Sequence, residues 1–213
     1  TTTTTETTTY EPKLGGPSRE FNYIENVKVS GTVDPFMRAR EVYFAANGLR
    51  PFTKHYHYLD SQQVDIVPKL CEITMISGSF TVFEDADVFD NGHKIAHIRI
   101  QKPNHKFGDT SRPDIGAGLG SPSVLVEEYN VDPYDKSRPA PGNDYSATSK
   151  LINFGVRTLA TEERYYGYVV QGAKVVGRTS GATATITKAE LISDNWGDII
   201  ACFCFRDPNS NPA

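Results

Sequence analysis

The densest run of chemistry-bearing side chains is Glu84-Asp85-Ala86-Asp87-Val88-Phe89-Asp90-Asn91-Gly92, which gathers carboxylates within a few residues. Calcium takes six to eight oxygen ligands, and aspartates two apart with a later glycine resemble a calcium loop. Asp85, Asp87 and Asp90 are therefore candidate calcium ligands. The spacing departs from the EF-hand pattern and lacks its terminal glutamate, and a solvated hairpin loop is the competing reading. His55 and His57 alternate on a predicted strand and would project the same way, as two metal ligands do. With no third ligand predicted beside them, they read as a solvated face opposite packed Tyr56 and Tyr58. His93 and His97 fall in a strand-like run, so they are not a helical pair.

Cys71, Cys202 and Cys204 are too few and too badly spaced for a zinc site of paired Cys-x-x-Cys type. Cys202 and Cys204 flank Phe203 and share one strand face, and all three read as buried thiols acting as small hydrophobes. The other reading is one disulfide from Cys71, which would indicate an extracellular location. No nucleophile, base and orienting group stand out together, and adjacent Glu127 and Glu128 face opposite sides of a strand, so the chain reads as no enzyme. Gly116, Gly118 and Gly120 lack the strand, helix and Lys-Ser/Thr of a nucleotide loop. A net charge of −4 provides no broad positive field for nucleic acid. No apolar run approaches the ~20 residues of a spanning helix, so no membrane partner is expected.

The elements that must position these residues are β strands. Residues 168–205 alternate β-branched and aromatic runs with Gly172, Gly177, Gly181 and Gly197, at the spacing of a β-meander. Val175-Val176, the turn Arg178-Thr179-Ser180-Gly181 and the return over 182–186 predict one hairpin. Leu191-Ile192 and 199–205, around the polar cluster 193–198, predict a second, which places four strands side by side. Upstream, strands are expected over 21–33, 38–44, 54–60, 64–67, 70–76, 80–83 and 95–100, then at 124–126 and 151–156. One short helix is expected within 158–166, capped by Thr158. Stretches 101–123 and 129–149, rich in turn residues, read as long ordered loops.

At 213 residues the chain can bury roughly 70% of its unfolded surface. The expected fold is all-β: an antiparallel β-sandwich, or two β subdomains over 21–110 and 111–213, with long ordered loops and an extended N-terminal arm over 1–20. One continuous β domain over 21–213 is the other division. The arm opens with a threonine tract that has no apolar surface to bury. Threonine tracts beside prolines read as O-glycosylated stalks, which makes Thr1, Thr2, Thr3, Thr4, Thr5, Thr7, Thr8 and Thr9 candidate glycan carriers. A start at Thr1 suggests a processed chain or one repeat of a longer polypeptide.

Several pieces in one order resemble a module of large structural proteins of contractile-tailed cyanophages. They are Gly172-Ala173-Lys174-Val175-Val176-Gly177 with residues 178–184, Leu191-Ile192-Ser193-Asp194-Asn195-Trp196-Gly197-Asp198, and Phe205-Arg206-Asp207-Pro208-Asn209. Upstream stand residues 45–53, with Asn47-Gly48 and Pro51-Phe52, then Val67-Pro68-Lys69-Leu70 and Pro103-Asn104-His105-Lys106-Phe107-Gly108. The resemblance spans about residues 36–209 and implies a virion or fibre structural component with no catalytic residues. The expected function is a subunit that polymerises head to tail with copies of itself, extracellularly or on a virion surface, with glycans on its arm. The alternative is a carbohydrate- or receptor-binding module, since eleven tyrosines and Trp196 could stack on sugar rings. Exposure of those rings around an open groove separates the two.

Overall fold

A computed structural model describes residues 9–11, 18–20, 39–108 and 126–205. The chain divides into two units between Met37 and Arg38. In the first, β1 (Thr9–Glu11) pairs antiparallel with β2 (Ser18–Glu20), Thr9 opposite Glu20. The expected extended arm is thus found paired with itself where it is described. The strands expected over 21–33 and at 124–125, and the loop over 109–123, lie outside the described residues.

The second unit begins with β3 (Arg40–Ala46), β4 (Lys54–His55), β5 (Tyr58–Leu59), β6 (Gln62–Gln63), β7 (Asp65–Pro68), β8 (Leu70–Ser77), β9 (Asp85–Asp90) and β10 (His93–Arg99). It continues with β11 (His105–Phe107), β12 (Glu127–Glu128), β13 (Leu151–Asn153), α1 (Val156–Thr161), β14 (Tyr166–Gly167), β15 (Lys174–Gly177), β16 (Thr183–Lys188), β17 (Leu191–Ile192) and β18 (Ile199–Phe205). The fold is all-β apart from one helical turn and a half. Its main sheet is antiparallel, in the order β13-β8-β16-β15-β9-β10-β14.

This sheet curls until the continuation of β10, beside its edge strand β14, meets that of β13 at the other edge. Beyond β10, Ile100 bridges Phe154 beyond β13, Gln101 N–H donates to Asn153 O at 2.8 Å, and Gly155 N–H donates to Arg99 O at 2.9 Å. Closure satisfies backbone groups that an open edge would leave bare. Period-two alternation sends Ala86, Val88, Ala96, Ile98, Val175, Ala184 and Ile186 inside, all fully buried. The mixture of alanines with large aliphatics lets a narrow interior fill without a void. No boundary near residue 110 divides this arrangement, because β8, β9 and β10 share the sheet with β13 to β16.

The turn between β15 and β16 is as expected, but β17 and β18 do not form the second hairpin. β17 pairs with β4, Leu191 opposite His55, while β18 lies between β3 and β7, with Cys202 flanked by Tyr43 and Val67. The cause is the polar cluster between them, which is buried rather than solvated. Ser193 Oγ donates to Arg50 O at 2.6 Å and accepts from Thr53 N–H at 3.0 Å. Asp194 accepts from the amides of Trp196 and Asp198 and pairs with buried Lys106 at 2.7 Å. The segment therefore docks on residues 49–53 instead of reversing the chain.

Three smaller expectations also change. Residues 80–83 form a turn rather than a strand, with Phe80 in the core and Phe83 at φ 68°. The helix begins at Val156, with Gly155 as its cap and Thr158 buried within it, because Val156 and Leu159 are the pair that faces the core. Over 54–60 the faces are inverted, His55 and His57 being half-buried while Tyr56 and Tyr58 are 69% and 58% exposed. All three cysteines are free and buried.

Candidate functional site

Because Ala86, Val88 and Ile98 point into the closed sheet, the residues between them emerge outside it. Pairing of β9 with β10 places His97 opposite Asp87 and Arg99 opposite Asp85. A bulge between Lys94 and Ala96 shifts the register, and β14 brings Tyr166 opposite His97. The run read as an acidic loop is thus the strand β9, and only Asn91-Gly92 turns, both at positive φ.

Asp85 accepts from the Tyr165 hydroxyl at 2.8 Å and Arg99 Nε at 3.3 Å, with Arg164 Nη1 at 3.5 Å. Asp87 meets His97 Nδ1 at 2.8 Å, Arg178 Nε at 2.9 Å and Lys94 Nζ at 3.8 Å. Burial works against ionisation at both carboxylates. The hydrogen bonds and cationic neighbours outweigh it and hold both below the usual carboxylate range. Asp90 stands apart at the strand end, opposite His93 and hydrogen-bonded by Asn91 Nδ2 at 3.2 Å. The three candidate calcium ligands are therefore not convergent, and two of them are engaged by cations. Among the described residues, no three His, Cys, Asp or Glu side chains gather to hold a metal ion.

Sequence reasoning missed three other polar groups. Glu84 is buried, and its carboxylate accepts from the amides of Thr81, Thr179 and Ser180 at 2.7, 2.9 and 2.8 Å and from Ser180 Oγ at 2.7 Å. It staples the β15–β16 turn to the start of β9. A Cβ at Gly177 would lie 2.6 Å from its Oε1 and from Ser180 Oγ, so a larger residue there would displace the staple. Arg138 ties the long loop over 129–149 to β8 by bonding Glu72 at 2.7 Å, Asp132 at 3.2 Å and Asp135 at 3.1 Å. Glu41 on β3 accepts from Gly167 N–H of β14 at 2.7 Å and lies 3.8 Å from Cys202 Sγ. Each is tied to a distant part of the chain, Arg138 to Glu72 across 66 residues, Glu84 to Ser180 across 96 and Glu41 to Gly167 across 126, and no local pattern could have named those pairings.

Of the aromatic side chains, Phe80, Tyr129, Tyr145, Phe154 and Tyr165 are buried, whereas Trp196 is 68% exposed on the docked turn. Of the candidate glycan carriers, only Thr9 falls within the described residues, where its backbone opens β1. Thr1, Thr2, Thr3, Thr4, Thr5, Thr7 and Thr8 lie outside them. No family model, curated protein or solved structure matches the chain.

Proposed function

We propose that the chain is a non-enzymatic structural subunit that assembles head to tail into an extracellular fibre or virion appendage, carrying O-linked glycans on Thr1–Thr5 and Thr7–Thr9. The observation that supports this reading most is how the irregular segments are held. The closed sheet has a filled interior, and its loops are pinned by buried polar staples at Glu84, Asp194 and Asn153 and by the Arg138 ion pairs. Such a body resists local opening, which is the property an exposed load-bearing module needs.

The division at Met37 supports the mode of assembly. Among the described residues, β3 pairs on one side only, with β18, and is partly exposed along its length, whereas β7 on the far side of β18 is largely buried and its Ile66 O accepts from Val169 N–H at 3.2 Å. An extended segment from a neighbour can complete an edge such as that of β3. Contact between two different surfaces repeats, and unless its rotation closes a ring the product is a filament. Removal of residues 1–20 tests the role of the first unit. The truncated chain is expected to melt cooperatively and to form no filaments in electron micrographs. Filaments of normal length from that chain would contradict the reading.

A further inference from the structure

We propose that Lys94, Tyr166 and Arg178, on the outer face of the closed sheet, bind an acidic saccharide whose ring carries carboxylate or sulfate groups. This goes beyond the assembly reading and does not depend on it.

In the network on this face, Lys94, Arg99, Arg164 and Arg178 meet Asp85, Asp87 and Glu162, so cations exceed carboxylates. The excess is concentrated at Asp87, a single carboxylate that holds both Arg178 and Lys94. Arg178 uses its Nε there and has a side chain 51% exposed, which leaves its terminal nitrogens toward solvent. The guanidinium end suits a carboxylate or sulfate with two oxygens in a plane.

An aromatic platform stands beside these cations. Tyr166 is 44% exposed, with Lys94 Nζ over one part of its ring 5.5 Å from the centroid and the His97 ring tilted against it at 6.3 Å. A pyranose ring can lie on such a face while its acidic substituent reaches the cations. The groups are also pre-positioned. Lys94 and Tyr166 rise from paired strands of the sheet and Arg178 from the turn after β15, and Asp87 fixes the two cations before any ligand arrives, which lowers the ordering cost of binding. Nucleic acid fits less well, because a long polyanion needs a broad positive field and the chain carries a net charge of −4.

The test uses the full chain in solution with four probes: a heparin disaccharide as a short sulfated glycan, digalacturonate as a short carboxylated one, dextran as a neutral one, and a single-stranded DNA oligomer. At about 50 mM salt, at least one acidic glycan should bind, with affinity falling as salt rises. Which of the two binds distinguishes sulfate from carboxylate. Dextran should not bind, and DNA should bind at least about tenfold more weakly. The double variant K94Q/R178Q should lose about tenfold in affinity or more while its melting temperature holds, since both side chains are partly exposed. Y166A should weaken the glycan and leave the weak DNA binding unchanged. If the double variant melts poorly, R178Q alone replaces it with the same expectation. Equal binding by parent and variant, dextran binding, DNA binding as tight as the glycan, or no acidic glycan bound would each overturn the proposal.

Discussion

Burial of Glu41 between β3 and β18 raises its carboxyl to about 7, against the lowering effect of the Gly167 amide and the neighbouring thiols. Unfolded, the same group titrates near 4.5. Its contribution to stability is therefore fully present below about pH 4.5 and is lost as the pH rises through about 7. His105 acts in the opposite sense. Burial lowers it to about 3, so the stability it confers is present above its ordinary 6.5 and is lost as the pH falls towards 3. The two slopes partly cancel in the parent, and only a comparison at each pH isolates Glu41. The melting temperature of E41Q minus that of the parent should grow from pH 5 to pH 8, and a difference constant over that range would remove Glu41 as the cause. Glu84 is buried and gathers the amides of Thr179 and Ser180 from an exposed turn. E84A lets water reach those amides, so its cost, about 1–2 kcal/mol in denaturant unfolding, is that of the lost charge-assisted hydrogen bonds. A loss under about 0.5 kcal/mol would mean that water replaces the carboxylate fully.

At the scale of elements, the β15–β16 hairpin was legible because everything it needs is local: Val175 facing inward, a four-residue turn and Gly181 at positive φ. The β17–β18 pair was not, because Ser193 and Asp194 look like turn residues until Thr53 and Lys106 are brought to them. The same limit inverted the faces of His55 and Tyr56, since period-two alternation shows that two faces differ but not which one meets the core. It also turned Asp85 and Asp87 into apparent calcium ligands. Their alternation is that of an outward strand face, and the cations that occupy them come from β10, the segment after α1 and the turn after β15. Calcium should accordingly leave the melting curve unchanged, as should a chelator. A rise of several degrees with calcium, abolished in D85N/D87N, would restore the calcium reading.

At the scale of the whole molecule, alternation and glycine spacing made the all-β class readable, whereas closure was not. Ile100 and Phe154 meet across a long separation, and neither neighbourhood announces the other. The division at Met37 was unreadable because Asp34-Pro35, which breaks the alternation over 21–33, marks the end of a strand as readily as a boundary between units. Head-to-tail assembly, as proposed, joins copies of this chain through two different surfaces. A self-complementary contact stops at a dimer, whereas a contact between unlike surfaces grows without a fixed end unless its rotation closes a ring. Sedimentation velocity of the intact chain over a wide concentration series separates these most directly. The account predicts a weight-average mass that climbs continuously with concentration and shows no plateau. A mass that levels off at one or two copies would contradict it.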